Sequence, residues 1–514
     1  MAKTPSTKLY DLVQSLSGSE KRYFKLYVSE HGKETSKYMQ LFEALEGMDT
    51  FDEEKLKNTV YRNEIIESRK YSELKAYLYD LILKCLQAYD EKRSVDYKLK
   101  GILKSVHSLY RRSHFDDCLQ LIQKAMKPAV KYEKFKVILE LQDWKKQVYY
   151  ARADIGSLDK ELTSINQIES ETIAQLQNLL EYKEIFFQLL IHLRKNPSGT
   201  VTKKSGGIEG LINHPLLEDE RKALSHQALV TFHRIQTIYN FSKGAFIDFF
   251  KGSRQLIRIM ESEPHFLKED LSEYISALSN YAISSSLVKA YDQTFECLEK
   301  LRALKPITND DATKIHRQYY TLKFHMCIIS GEFNEGVNAL EEHLRKVDKF
   351  DKQLFEKDSF LFQYFYIYFG AGNYDKALEY LNRWLNLPKR VERQDMWITS
   401  RLVNLILHFE MGNTLLLESL IRSTYRYLSK SDSLSPYENK VLSFFRESLK
   451  FQDKSQQKQA LLELKTELGK EEYKKMRPRL FNVEAWFEAK IQNKAFSEII
   501  KEQFVMEKSA FDLE

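Results

Sequence analysis

A turn built on glycine and an aromatic residue recurs along this chain at a nearly fixed interval, and such a recurrence restricts the fold more than any single motif does. In "SGEFNEGVNALEEHL" Phe333 stands two residues after Gly331, and in "FGAGNYDKALEYLNRWLNLP" Tyr374 stands two after Gly372. In "MGNTLLLESL" Thr414 follows Gly412 in the same way. Backwards along the chain, Tyr291 in "LVKAYDQTFECLEKL" precedes Phe333, and Phe246 in "SKGAFIDFFKGSRQLI" precedes Tyr291, at closely similar separations. The period is about 40–45 residues, a length typical of stacked helical hairpins. More degenerate units extend the register to Phe115, Ile155, Gln456 and Phe496.

Each unit reads as a helix, a short turn and a second helix. In "DKALEYLNRWL" the residues Ala377, Leu378, Leu381, Trp384 and Leu385 recur at spacings of three and four, which lays one apolar stripe along a helix. A lone helical hairpin cannot cover both its stripe and its back, so neighbouring hairpins must stack. Gly372 supplies the positive φ that such a turn requires, and Tyr374 is expected to pack into the elbow. Only 17 Gly and 9 Pro in 514 residues disfavour a β-sandwich or barrel with its many tight turns. The expected fold is all-α, an α-solenoid of stacked helical hairpins.

The unit from Leu278 to Pro306 resembles a tetratricopeptide repeat at Leu278, Tyr281, Ala282, Tyr291, Leu298, Leu301 and Pro306. The unit around Gly372 resembles it at Gly372, Tyr374, Ala377 and Leu381, but carries Phe365 and Trp384 where that family prefers small residues. The longer period implies extended helices or connections and wider packing between them. The resemblance covers roughly 225–430 and implies recognition of a peptide or helix in a concave groove. By analogy, groove positions fall on the first helix of each pair, at Gln318, Thr321, His325, Phe362 and Tyr366.

The chain divides into a helical head or cap over 1–90, degenerate repeats with a basic segment over 91–194, and a loop or insertion over 195–222 rich in Gly, Ser, Pro and Lys. The better-formed repeats follow over 223–430, then further degenerate ones over 431–514. In the head, Ser17 and Glu20 form a capping-box signature. Leu74, Leu78, Leu81, Ile82 and Cys85 make an apolar stripe on a later helix.

Charge is local. The formal net charge is +6, yet residues 92–136 alone hold twelve Lys or Arg against four acids. Lys98, Lys104, Arg111, Arg112, Lys124, Lys127 and Lys131 are interleaved there with Tyr97, Tyr110, Tyr132 and Phe135, a mixture suited to phosphate contacts with base stacking, or to a solvated face with aromatics turned inward.

Little else points to chemistry. "GTVTKKS", residues 199–205, resembles a phosphate-binding loop, but Lys203 replaces its second glycine and no strand pattern precedes it. His226 and His233, or His316 and His325, lack companions at metal-ligand spacing. Cys85, Cys118, Cys297 and Cys327 are scattered in apolar stretches and read as buried thiols. No cofactor, metal or small-molecule substrate is expected. With neither a signal peptide nor an apolar run of about 18 residues, the expected location is cytoplasmic. The expected function is a non-enzymatic scaffold or adaptor for a protein or peptide partner, and the alternative is a regulatory factor binding RNA or DNA through 92–136.

Overall fold

The computed structural model describes residues 6–31, 36–61, 67–91, 93–195, 206–348, 350, 354–355, 358–387, 394–430, 434–451, 453–474 and 480–511. Among them every regular element is helical and there is no strand. None of the described helices is long and apolar enough to cross a membrane.

The head comprises α1 (Lys8–Ser15), α2 (Gly18–His31), α3 (Lys37–Glu46), α4 (Glu53–Tyr61) and α5 (Ser68–Glu91). Ser17 and Glu20 do cap α2 reciprocally, the Ser17 N–H donating to the Glu20 carboxylate at 2.7 Å and the Glu20 N–H to Ser17 Oγ at 3.3 Å. Leu78, Ile82 and Cys85 of α5 are buried in one cluster with Phe24 and Phe42, with Leu74 and Leu81 packed beside them.

Four helices follow, α6 (Val95–Tyr110), α7 (Phe115–Lys131), α8 (Phe135–Ala151) and α9 (Ile155–Lys195), the last a single helix of 41 residues. The stretch expected to be a loop over 195–222 contains a short helix α10 (Gly206–Ile212) and two 3-10 turns, Pro215–Leu217 and Glu220–Lys222. Pro215 opens the first of these, where its missing N–H costs nothing, and His214 and Asp219 cap the two turns. The "GTVTKKS" stretch lies outside the described residues.

The remaining helices come in pairs. They are α11 (His226–Ser242) and α12 (Phe246–Ser262), then a single-turn α13 (Pro264–Leu267), then α14 (Ser272–Leu287) and α15 (Tyr291–Ala303). Next are α16 (Asn309–Ser330) with α17 (Phe333–Val347), α18 (Asp358–Gly370) with α19 (Tyr374–Leu385), and α20 (Gln394–Glu410) with α21 (Thr414–Lys430). The C-terminal part holds α22 (Pro436–Ser448), α23 (Lys454–Leu468), α24 (Glu471–Lys474), α25 (Val483–Gln492) and α26 (Phe496–Phe511). Phe115, Ile155, Phe246, Tyr291, Phe333, Tyr374, Thr414 and Phe496 are each the first residue of a helix, so the repeated aromatic or apolar position marks where the second helix of each pair begins. Gln456 falls instead within the first turn of α23.

One turn geometry explains that register. Two residues before the new helix the chain passes through the left-handed region, at Gly244 (φ 73°), Gly331 (φ 74°), Gly372 (φ 76°) and Gly412 (φ 70°). The same conformation is adopted without glycine at Ser113, Glu133, Ala153 and Lys289. At Gly244, Gly372, Gly412, Ser113, Glu133, Ala153 and Lys289 the next N–H closes back on the carbonyl five residues earlier, as Asn373 does on Tyr368 at 2.9 Å and His114 on Leu109 at 3.1 Å. This satisfies carbonyls that a helix end leaves orphaned. Ser113, Glu133 and Ala153 are evenly spaced at half the repeat interval, so in this region the closure recurs between hairpins as well as within them. A left-handed non-glycine residue costs about 1–2 kcal/mol. Glu133 offsets part of it, because its carboxylate accepts the first N–H groups of α11, from His226 at 2.6 Å and Gln227 at 2.9 Å.

Packing follows chain order. From α11 to α19 each pair of helices contacts the next; α12 lies on α14, α15 on α16 and α17 on α18, and first helices touch one another, α14 on α16 and α16 on α18. Polar links repeat at the same interval, from Ser279 Oγ to Gln318 at 2.9 Å, between Ser286 Oγ and His325 Nε2 at 2.9 Å, and from Lys300 Nζ to Glu261 at 2.7 Å. Helix α18 is enclosed on nearly every side. From Phe360 to Gly370 only Gln363 escapes full burial, which matches a sequence, "FLFQYFYIYFG", with no polar face.

The chain then turns back on itself. Helix α26 packs against α16, although the helices α17 to α25 separate them in sequence. Phe496 lies against Phe333 with ring centres 5.8 Å apart and Phe504 against Tyr291 at 4.6 Å, with Ile499 and Ile500 also buried. Ion pairs rim this contact: Lys501 with Glu332 at 2.8 Å, Lys508 with Asp292 at 2.7 Å and Lys289 with Glu507 at 3.0 Å. Half-exposed pairs of this kind contribute at most about 1 kcal/mol each, so the apolar seat does most of the holding.

Candidate functional site

Of the groove positions named from the sequence, His325 on α16 and Phe362 and Tyr366 on α18 line one cavity, whereas Gln318 and Thr321, also on α16, are not among its walls. Gln318 accepts the hydrogen bond from Ser279, and the Thr321 carbonyl accepts one from Gln363 Nε2 at 3.1 Å. His325 is tied to Ser286, and burial pushes its imidazole below its ordinary pKa. Phe362 and Tyr366 are buried, 5% and 6% exposed.

Phe362 packs on Phe365 and Trp384, while Tyr366 is covered by this chain's own C-terminal segment. Residues 480–482 are not helical; Phe481 packs on Tyr366 with ring centres 4.8 Å apart, and the Asn482 N–H donates to Tyr366 Oη at 3.0 Å. Between this segment, α26 and the helices α16 and α18 remains a cavity of about 530 Å³. Its walls combine apolar and aromatic groups, from Ile328, Phe362, Met396 and Phe504, with polar and acidic ones, from His325, Gln363, Asn482, Glu484, Gln503 and Glu507. Gln363 Oε1 is buried without a hydrogen-bond partner among the described residues. Concave walls in which apolar surface and fixed polar groups share the lining can both bury and orient a ligand. Gln363, Phe481 and Asn482 were not named from the sequence. Phe481 and Asn482 come from a part of the chain far beyond Tyr366, and no local pattern announces so distant a contact.

The basic residues distribute differently. Lys98, Lys104, Arg111, Arg112, Lys124, Lys127 and Lys131 are all exposed. They are divided between two helices: Lys98 and Lys104 on α6, Arg111 and Arg112 at its end, and Lys124, Lys127 and Lys131 along one outer stripe of α7. Lys104 also borders a cleft of about 620 Å³ with Tyr97, His107 and Trp144. Three of the four interleaved aromatics are engaged internally. Tyr110 packs on Phe115 and Trp144, Tyr132 on His265 and Phe266, and Phe135 is buried. Tyr97 is the one of the four left exposed. The segment presents cations to solvent without a row of stacking platforms.

The histidines have structural partners. His233 Nε2 lies 2.9 Å from Glu220, and His226 stacks on Phe266. His316 and His343 form a relay, His316 Nε2 to His343 Nδ1 at 3.0 Å and His343 Nε2 to Tyr364 Oη at 2.6 Å, inside a cage of Phe324, Phe350, Phe355 and Phe360. Burial, reinforced by the neighbouring imidazole, pushes His343 down to about 3; burial, with Lys346 nearby, pushes His316 to about 4. The four cysteines are buried, and burial raises the Cys297 and Cys327 thiols to about 12, far from the reactive thiolate. Among the described residues no group of three or more His, Cys, Asp or Glu is placed to hold a metal ion. No protein-family model, no curated protein and no solved structure matches this chain.

Proposed function

We propose that the protein is a helical-repeat scaffold, an α-solenoid resembling the tetratricopeptide class, which holds a peptide or helix from a protein partner against the face of its first helices. One observation carries this reading. That face already accommodates an extended piece of polypeptide, residues 480–482, through a main-chain hydrogen bond to Tyr366 and an aromatic seat for Phe481. A surface that accepts one such segment has the hydrogen-bonding and apolar complementarity to accept another, in the adjoining cavity beside His325 and Gln363. No catalytic role forms part of this reading.

A photo-crosslinking amino acid placed at Gln363 in the full-length protein, expressed in its native cell, tests it. The expected result is a discrete adduct with another polypeptide, mapped to position 363 and unchanged by nuclease. Adducts that consist of nucleic acid, or no adduct while the protein remains folded, overturn it.

The alternative, binding of RNA or DNA through the basic segment, is favoured by the stripe of Lys124, Lys127 and Lys131, for which the structure shows no acidic side-chain partner among the described residues. Phosphate contacts would weaken steeply with salt, whereas an apolar groove contact would not.

A further inference from the structure

A second surface lies apart from that face. Helix α21 and the end of α22 enclose a cleft of about 940 Å³. Along α21 its wall carries Arg422, Arg426 and Lys430 at intervals of four, one row of a helix spanning about 18 Å from Glu418. Arg446 and Lys450 face them from α22 and the residues after it. Five cations thus meet one acid, Glu418, which reaches Arg422 at 3.5 Å. For Arg426, Lys430, Arg446 and Lys450 the structure shows no acidic partner among the described residues.

The cleft is not only charged. Half-buried Leu449 forms its apolar floor above Ile421, which is itself only 3% exposed, and Tyr425, 42% exposed, stands on its rim with the Arg446 guanidinium 6.0 Å from its ring. Leu415, two helical turns before Arg422 on the same side of α21, is 92% exposed. An apolar floor flanked by cations, along a row with helical spacing, is complementary to a helix bearing apolar residues on one side and acids on its flanks. A phosphodiester strand matches less well, since Tyr425 offers a single stacking ring and the floor would stay uncovered.

We propose that the α21–α22 cleft binds an acidic amphipathic helix of a partner protein. Carboxylates pair with Arg426, Lys430, Arg446 and Lys450 at the rim, while leucine-like side chains cover Leu449, Tyr425 and Leu415. This site does not depend on the reading of the α16–α18 face, and either can fail alone.

The test uses the full-length protein and fluorescence anisotropy of three labelled probes. The first is a peptide of about four helical turns with leucines on one face and glutamates elsewhere; the second has the same composition in scrambled order; the third is a single-stranded RNA of similar length. The helical peptide should bind saturably, and the scrambled one about ten-fold more weakly. Arg426→Glu with Lys430→Glu on one wall, and separately Arg446→Glu with Lys450→Glu on the other, should each weaken the helical peptide about ten-fold. Unchanged thermal midpoints would show that both variants fold, and these side chains have no buried partner to lose. Absence of saturable binding, equal binding of the scrambled peptide, or tighter binding of RNA lost in the same variants overturns the proposal.

Discussion

The turns at Gly331 and Gly372 are alike in sequence and in backbone, with φ of 74° and 76°, and each launches a helix two residues on. Their surroundings differ completely. A Cβ at Gly372 would meet nothing within 4 Å, whereas one at Gly331 would meet Lys501 Cγ at 2.7 Å, the Ser497 carbonyl at 2.8 Å and the Lys501 N at 2.9 Å. One glycine is needed only for its conformation; the other also leaves room for α26. A local motif sets where the chain turns, and a contact with the distant C-terminal helix decides what that turn supports.

Substituting alanine at both positions separates these roles. Gly331→Ala should be the more damaging, by about 3 kcal/mol or more, since it adds a backbone clash to the left-handed penalty. Its signature should be selective proteolysis within α26 before the rest of the chain unfolds. If α26 stays protected in Gly331→Ala, the close approach to α26 does not exist in solution.

The His316–His343 relay, buried behind the same α16–α17 hairpin, gives the next largest effect. Both imidazoles are held neutral far below the ordinary 6.5. As pH falls through 6.5 the unfolded chain takes up protons that the folded chain refuses until about 4 and 3. The stabilisation is therefore complete above 6.5 and declines as pH drops toward 4. The loss should reach roughly 2 kcal/mol per imidazole at pH 5, measured by denaturant unfolding. His316→Gln should flatten this decline between pH 7 and 5, and an unaltered slope would remove His316 from the explanation.

Gly372→Ala should cost about 1–2 kcal/mol with no change in α26 protection, because only the conformation is strained. At the small end, Ala153→Gly should stabilise by about 0.5 kcal/mol, relief of the left-handed strain exceeding the added freedom of the unfolded chain. A destabilised Ala153→Gly would mean that its turn differs in solution from the one at Gly372.

The same contrast shows what the sequence could reveal. Glycine followed by an aromatic residue exposed the turns at Gly331 and Gly372, and the starts of their second helices could be read residue by residue. At Ser113 and Lys289 no glycine marks the turn and only the aromatic residue two places on, Phe115 or Tyr291, placed it in the register, while Glu133 makes the turn between hairpins, stabilised by contacts with α11 that are remote in sequence. Gly206 and Gly207, read as part of a loop, begin a short helix instead. For the candidate site, helical periodicity and the repeat interval, which are local rules, place His325, Phe362 and Tyr366 on first helices where they line one cavity, but Gln318 and Thr321 are not among its walls. The cover provided by Phe481 and Asn482 was not legible, since it depends on the tertiary path of the chain. The row of Arg422, Arg426 and Lys430 was not singled out from the sequence, because cations spaced by four on one helix are ordinary until the next helix brings Arg446 and Lys450 opposite them.

The return of α26 onto the middle of the chain is tested most directly by zero-length carbodiimide coupling of the dilute protein, read by mass spectrometry. Lys508 should join Asp292 and Lys501 should join Glu332, as readily as Lys300 joins Glu261 between neighbouring pairs. Recovery of the Lys300–Glu261 link without either long-range link would contradict the fold-back and leave the face of α16 and α18 uncovered.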